Sequence, residues 1–403
     1  MRWRRGSTIC EVRPGRLASW VCCPSTRRSA PSAPMGESRR EEDSVSKIEW
    51  CDVTWNPVVG CSRVSKGCEH CFAERMAHRL SHMPQTAERY AGLTTKGTSG
   101  VRWTGKVRLV PEVLEKPLRW RKPRRIFVNS MSDLFHKDVP DEFIQHVFGV
   151  MAGARQHTFQ VLTKRPERMR AWFEMLDAER DQCGRATEPR WTCVNGVESL
   201  LERDVQPDSE ATWPLPNVHL GVSCENQDAL LARWPDLAQT PAAVRFISAE
   251  PLLGPLDFNE AGSLGAESGD PCWPWSALKG YDGCDPPVPG IDHVIVGGES
   301  GPGARPCNVE WIRSIVQQCR VSGVPVFVKQ LGAKPAGWCV NRLLFSEEES
   351  AEAGDGYCDH YESGEGRDCG GRCYMLKHPK GADMAEWPED LRVQEMPAEG
   401  RRG

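Results

Sequence analysis

Short apolar runs that stop abruptly in polar residues are the clearest pattern along the chain. They are Ile126-Phe127-Val128, Phe159-Gln160-Val161-Leu162, Val218-His219-Leu220-Gly221-Val222, Val244-Arg245-Phe246-Ile247, His293-Val294-Ile295-Val296 and Val324-Pro325-Val326-Phe327-Val328. Most carry β-branched side chains and few alternate strictly. Such runs predict strands covered on both faces, as in a parallel sheet. An earlier run at residues 55–59 predicts a seventh strand. Between the strands the period turns helical. Pro140-Asp141-Glu142 opens one helix, with Phe143, Val147, Val150 and Met151 on one face. Pro166-Glu167 opens another, with Met169, Trp172, Phe173 and Leu176. Asn308 can cap a third, which carries Trp311, Ile312 and Ile315 and stops at Gly323.

Strands alternating with helices imply βαβ units with right-handed crossovers. The expectation is an α/β fold: a partial or complete TIM-like parallel barrel over residues 46–332, in preference to an open sheet. The stretches 177–217 and 257–290, rich in Gly, Pro, Asp and Trp, break the rhythm and read as insertions at the barrel rim. Residues 333–403 follow the last strand as a C-terminal appendage.

Composition narrows the class. At 403 residues and 39% hydrophobic, the chain can bury a sizeable core. No apolar run approaches the roughly 18 residues of a membrane span, so no membrane association is expected. A net charge of −4 argues against a generally cationic nucleic-acid coat. The first 34 residues differ from the rest, with seven arginines against Glu11 alone, or +6. That leaves −10 for the remainder. No periodicity runs through this leader, and no apolar segment follows Arg4 and Arg5, as an export signal would need. Residues 1–45 therefore read as a disordered leader, with Met35 an alternative start. Eighteen cysteines in a long chain without a secretory signal place it in the reducing cytoplasm. There, clustered thiols bind metal and scattered ones behave as small hydrophobes.

In a parallel barrel the site lies at the carboxyl ends of the strands. Those ends are polar here: Asn129-Ser130-Met131-Ser132-Asp133, Thr163-Lys164-Arg165, Ser223-Cys224-Glu225-Asn226, Ser248-Ala249-Glu250, Gly298-Glu299-Ser300 and Lys329-Gln330. Lys164, Glu250, Glu299 and Lys329 are the candidate catalytic groups. Asn129, Ser130, Ser132, Ser223, Gly297 and Gly298 are the candidate cofactor contacts. The glycine-rich run from Gly297 lies between a strand and a helix, where backbone amides can approach a ligand. Cys224 can be a hydrogen donor or a buried small hydrophobe.

The most specific constellation is Cys61-x6-Cys68-x2-Cys71. Three thiols within eleven residues, with Gly60 and Gly67 among them, can wrap one metal centre. A 4Fe-4S cluster normally takes four cysteines, so three would leave one iron open. Structural zinc would need a fourth ligand, for which His70 and His78 are candidates. A further group, Cys272, Cys284, Cys358, Cys369 and Cys373, could hold a second metal in the insertion and appendage.

Beside these motifs, the blocks Ser46-Lys47-Ile48-Glu49-Trp50, Thr54-Trp55-Asn56-Pro57 and Gly67-Cys68-Glu69-His70-Cys71-Phe72-Ala73 resemble the opening of a phage-associated three-Cys-motif family of unknown function. That family, named after mycobacteriophage gene products, is likened to radical SAM enzymes. Asn129-Ser130-Met131-Ser132-Asp133-Leu134-Phe135, Arg245-Phe246-Ile247-Ser248-Ala249-Glu250-Pro251, Val296-Gly297-Gly298-Glu299 and Phe327-Val328-Lys329-Gln330 fit as well. The resemblance implies a 4Fe-4S cluster on Cys61, Cys68 and Cys71, with S-adenosyl-L-methionine chelated at its open iron and cleaved to a 5′-deoxyadenosyl radical. Here the first cysteine gap is six residues where three is usual in that superfamily, and His70 stands where an aromatic residue is usual.

Three functional readings follow. The first is a radical-SAM-like enzyme acting on nucleic acid or a nucleotide, supported by the basic stretches Arg119–Arg125 and Lys164–Arg170. The resemblance also implies a protein partner encoded nearby. The second is a non-redox zinc or iron–sulfur module that binds nucleic acid or a partner protein. The third is a hydrolase using Glu250, Glu299 and Asp133 around a divalent metal.

Overall fold

The computed structural model describes residues 48–98, 100–178, 189–201, 213–261, 276–281, 287–336 and 376–397. The leader to residue 47, most of both insertions, and Cys272, Cys284, Cys358, Cys369 and Cys373 lie outside them. The chain enters the main sheet at β1 (Val53–Trp55). It continues through β2 (Val58–Val59), which pairs antiparallel with β5 (Arg108–Leu109). Between these lie α1 (Phe72–Leu80), the single turn α2 (Ala87–Tyr90), and a hairpin of β3 (Thr94–Gly97) and β4 (Gly100–Trp103). The first sheet strand is thus shorter and earlier than the expected 55–59. Asn56-Pro57 splits that run, because proline has no N–H to give a ladder.

After the single turn α3 (Lys116–Arg119) the order becomes regular. It runs β6 (Arg125–Val128), α4 (Asp141–Gly153), β7 (Thr158–Thr163), α5 (Pro166–Ala178) and α6 (Pro189–Leu201). Then come β8 (Val218–Ser223), α7 (Gln227–Gln239), β9 (Val244–Ala249) and β10 (His293–Gly297). It closes with β11 (Cys307–Asn308), α8 (Val309–Ser322), β12 (Val326–Gln330) and β13 (Pro335–Ala336), the last pairing with β11. Seven strands form one parallel sheet in the order β1-β6-β7-β8-β9-β10-β12, curled into a half-barrel. Sequential order with same-handed crossovers puts every connecting helix on one face, which is what curls a sheet toward a barrel.

The period-2 alternation of each strand divides its side chains between two cores. Ile126, Val128, Val161, Leu220, Val222, Ile247, Val294, Val296, Val326 and Val328 are buried in the main cluster with helix residues such as Phe148, Trp172, Trp234 and Ile312. Phe246, Ile295 and Phe327 belong to a second cluster with Trp50 and Cys51, against which Phe127 and Leu162 pack. Trp50 and Cys51 thus pack among residues of the sheet's other face, the lumen of the half-barrel. An added Cβ at Gly221 would stand 2.5 Å from the Phe246 ring, so glycine is what lets that ring lie across the inner face. The described end of the appendage returns to the sheet edge. Val328 N–H donates to the Val393 carbonyl at 2.8 Å and Glu395 N–H to Val326 at 3.0 Å, while Trp387 and Leu391 are buried in the main core.

Candidate functional site

The cysteine loop leaves the sheet at Gly60, whose φ of +90° and nearness to Lys106 exclude a side chain: an added Cβ would stand 2.4 Å from the Lys106 carbonyl. Asn56 and the β6 end hold its base. The Asn56 Oδ1 accepts from the Ser130 hydroxyl at 3.2 Å and the Met131 amide at 3.0 Å. Ser132 Oγ donates to the Val58 carbonyl at 2.9 Å, and Asn129 Oδ1 accepts from the Val58 amide at 3.2 Å. Asn129 adopts φ 63°, a left-handed conformation that asparagine tolerates better than most residues. Ser130 and Ser132, read from sequence as cofactor contacts, are therefore spent on the loop's base. Asn129 keeps one buried group, Nδ2, without a partner.

Three strand ends then clamp the loop. At β7, Arg165 bridges the Asp133 carboxylate at 2.7 Å and the Ser62 carbonyl and hydroxyl at 2.9 Å each, and it donates to Cys61 Sγ at 3.8 Å. Ser62 Oγ also meets His136 Nε2 at 2.8 Å. At β8, buried Glu225 accepts from Arg233 at 2.8 Å and from the Gly67 amide at 3.4 Å, with Lys164 Nζ at 3.7 Å. Burial alone would raise its pKa, but Lys164, Arg233 and the Ser65 hydroxyl outweigh that and hold it at about 2. At β10, Glu299 meets His70 Nδ1 at 3.0 Å and takes Arg305 in a forked pair, with Nη2 at 2.7 Å and Nε at 3.0 Å. Arg305 Nη1 reaches on to the Lys66 carbonyl at 3.0 Å and Glu69 at 2.9 Å. Burial pushes the Glu299 pKa up, and Arg305 and His70 bring it below its ordinary value.

The loop carries three free, half-buried thiols. Burial pushes Cys61 up to about 12, Asp133 and Cys71 adding to the rise and Arg165 opposing it. Burial also raises Cys71, with the Glu74 amide opposing and Cys68 adding. These mutual effects run through all three sulfurs. Thiols so raised are poor free nucleophiles and ionise readily only when a metal takes the proton's place. Among the described residues no three His, Cys, Asp or Glu groups are arranged to hold a single metal ion. Of the two candidate fourth zinc ligands, His70 is held by Glu299 and His78 lies beside Thr94.

The other expected residues divide. Lys164 lies with Glu225 at the loop. Lys329 Nζ pairs with Glu250 Oε1 at 2.9 Å, and Ser248 Oγ donates to Glu250 at 3.4 Å. Burial would lower Lys329, but Glu250 outweighs it and keeps the ammonium charged. Glu299 meets the loop directly, whereas Glu250 and Lys329 face each other across β9 and β12. Asp133, Glu250 and Glu299 each serve a different cation and share no metal group. Ser223 gives its carbonyl to Arg233 at 2.5 Å. Gly297 and Gly298 make room for neighbours: an added Cβ would stand 3.0 Å from Glu250 Oε1 and 2.5 Å from the Leu331 carbonyl, respectively. Cys224 is buried, donates to the Ala229 carbonyl at 3.8 Å, and is pushed by burial to about 12. Glu225, Arg233 and Arg305 were missed as site residues, and His70, expected only as a zinc ligand, instead pairs with Glu299. Only Glu225, at a polar strand end, carried a sequence signal.

Most cations of the basic stretches are engaged, while Arg121 and Lys122 are exposed. Arg119 pairs with Glu115, Arg124 lies 4.9 Å over the Trp120 ring, and Arg125 pairs with Asp52 at 3.5 Å. Arg168 pairs with Asp141 at 2.9 Å and Arg170 with Asp236 at 3.2 Å. No helix of the described residues is long and apolar enough to cross a membrane.

Residues 45–376 match a family described as protein of unknown function, DUF5131. No curated protein and no solved structure matches the chain.

Proposed function

The chain belongs to the DUF5131 family, and we propose that Cys61, Cys68 and Cys71 hold a 4Fe-4S cluster in a cytoplasmic, radical-SAM-like enzyme. The observation that supports this reading is the loop itself: three thiols close in sequence, in a loop tied by Arg165, Glu225 and Glu299 to three strand ends. Such fixing is what a reactive centre needs and a folding staple does not. Cys61, Cys68 and Cys71 would hold the cluster, which would supply one-electron chemistry toward S-adenosyl-L-methionine.

The chain's own groups have separable tasks. Arg165 donates to Cys61 Sγ, a contact of the kind that tunes cluster potential. Glu225 and Glu299 are positioning residues that set the loop's height and tilt. The Glu250–Lys329 pair places a fixed dipole at the barrel mouth, where it can orient a polar substrate. The buried Asn129 Nδ2 is the expected early-strand group still free to contact S-adenosyl-L-methionine. The phenyl and indole groups of Phe127, Phe246, Phe327 and Trp50 keep water from the lumen below.

The test is spectroscopic. Protein reconstituted anaerobically with iron and sulfide, then reduced, should change its electron paramagnetic resonance spectrum on adding S-adenosyl-L-methionine and release 5′-deoxyadenosine slowly. Protein that takes up iron yet ignores S-adenosyl-L-methionine would refute the radical-SAM-like reading.

A further inference from the structure

A cleft of about 440 Å³ is lined by the cysteine loop, α1 and β4. Its walls include Arg63, Glu69, Cys71, Glu74, Arg75 and Arg102. Both acids are already matched. Buried Glu74 takes Arg63 on its two oxygens at 2.8 and 2.5 Å and the Trp103 amide at 3.0 Å. Glu69 is paired with Arg305 at 2.9 Å. Two cations remain. Arg75 donates to the Pro302 carbonyl at 3.3 Å, and neither it nor exposed Arg102 has a carboxylate partner among the described residues. The rim is open beside them, since an added Cβ at Gly97 or Gly100 would meet nothing within 4 Å.

Two unmatched guanidiniums in one cleft call for a ligand with more than one negative charge, and their forked donors match phosphate oxygens in pairs. The volume lies within the ~300–1,000 Å³ range of small-molecule sites. We infer that this cleft binds an organic phosphate, Arg75 and Arg102 taking the phosphate oxygens while the rest of the ligand lies along Cys71. The phosphate can belong to a free nucleotide or to a nucleic-acid strand. This inference stands on the cleft's charge and holds whether or not the three thiols carry iron.

The experiment is a titration of the full chain with ATP, with a short single-stranded oligonucleotide and with inorganic phosphate. It is done at low and moderate salt, with iron content measured on the same preparations. ATP or the oligonucleotide should bind, more weakly as salt rises. Arg75→Ala with Arg102→Ala should weaken binding by about tenfold or more. Arg102→Glu, a change at an exposed side chain, should weaken it at least as much, and Arg119→Ala, whose cation is spent on Glu115, should not. Tighter binding of ATP assigns a nucleotide, and tighter binding of the oligonucleotide a strand. Binding of neither, binding of inorganic phosphate alone, or equal affinity in wild type and both cleft variants would overturn the inference. None of these results depends on the iron measurement.

Discussion

At the amino ends of the strands, Asp52 faces Arg125, the first residue of β6, and Asp292 faces Arg245, the second residue of β9. Asp52 accepts the Arg125 amide at 2.7 Å and donates its own amide to the Arg125 carbonyl at 2.9 Å. Asp292 repeats this with Arg245, at 2.7 and 2.8 Å. At the carboxyl ends, Asp133–Arg165, Glu225–Arg233 and Glu299–Arg305 are equally charged pairs, but each also reaches a loop outside the sheet. Charge at the amino end closes on itself and finishes the sheet edge. Charge at the carboxyl end is spent holding Cys61, Ser62, Gly67 and His70 in place. The comparison teaches that polar strand ends mark a site only when their second contact leaves the sheet.

The sharpest way to break that contrast is at Glu225. Glu225→Gln would leave Arg233 buried without its carboxylate, a loss of about 3 kcal/mol by the usual cost of breaking a buried pair. Urea unfolding should show the shift with an unchanged m value, and a loss below about 1 kcal/mol would mean that Glu225 is not a clamp. Gly221→Ala drives a methyl into the Phe246 ring on the inner face and should cost about 2 kcal/mol. Iron uptake should survive it, because the change lies away from the cysteine loop. Asp292→Ala removes an amino-end clasp and should cost about 1 kcal/mol. Its iron uptake should also be unchanged, and a loss would place the amino end in the site after all.

A separate test lies in pH. Burial lowers His293 and His219 from 6.5 to about 4, a backbone bond to Glu395 opposing this for the first and the charge of the other histidine adding to it for the second. Both rings are neutral in the fold, while the unfolded chain protonates near 6.5. The stability they contribute is complete above about 6.5 and is lost as pH falls through about 4. Denaturation midpoints should decline over that window, and His293→Gln should flatten the decline. An unchanged slope would show that His293 does not titrate as its burial implies.

Much of the frame was legible in the sequence, because burial on both faces writes itself as unbroken β-branched runs. The runs at 126–128, 159–162, 218–222, 244–247, 293–296 and 324–328 all lie in the parallel sheet or overlap its strands. The caps were legible too: Asn308 accepts from the Glu310 amide at 2.9 Å, and Gly323 ends α8 at φ 68°. Other elements left weaker traces. The β3–β4 hairpin is short and largely exposed, so it has no apolar alternation to show. Helix α7 carries Pro235 inside it, and Asn226, its N-cap, reads equally well as another polar strand end.

Of the proposed site, only the thiols were legible in sequence, because they sit close together in the chain. Their supports do not: His70 and Glu299 lie 229 residues apart, and Gly67 and Glu225 158 apart. Sequence also ranked cations by clustering, which picked Arg119–Arg125 and Lys164–Arg170, stretches largely engaged in contacts within the fold. Arg75 and Arg102, isolated in the chain, have no carboxylate partner among the described residues.

The central claim is that Cys61, Cys68 and Cys71 act together as ligands of one cluster, while Cys51, packed beside Trp50 in the inner apolar cluster, takes no part. Iron and acid-labile sulfide measured after anaerobic reconstitution test it most directly, on wild type and on four single alanine variants. Each of Cys61→Ala, Cys68→Ala and Cys71→Ala should lose most of the iron, because two protein thiolates hold a cluster poorly, and Cys51→Ala should keep it. Full iron in any of the three loop variants, or stoichiometric zinc and no iron in the wild type, would contradict the account.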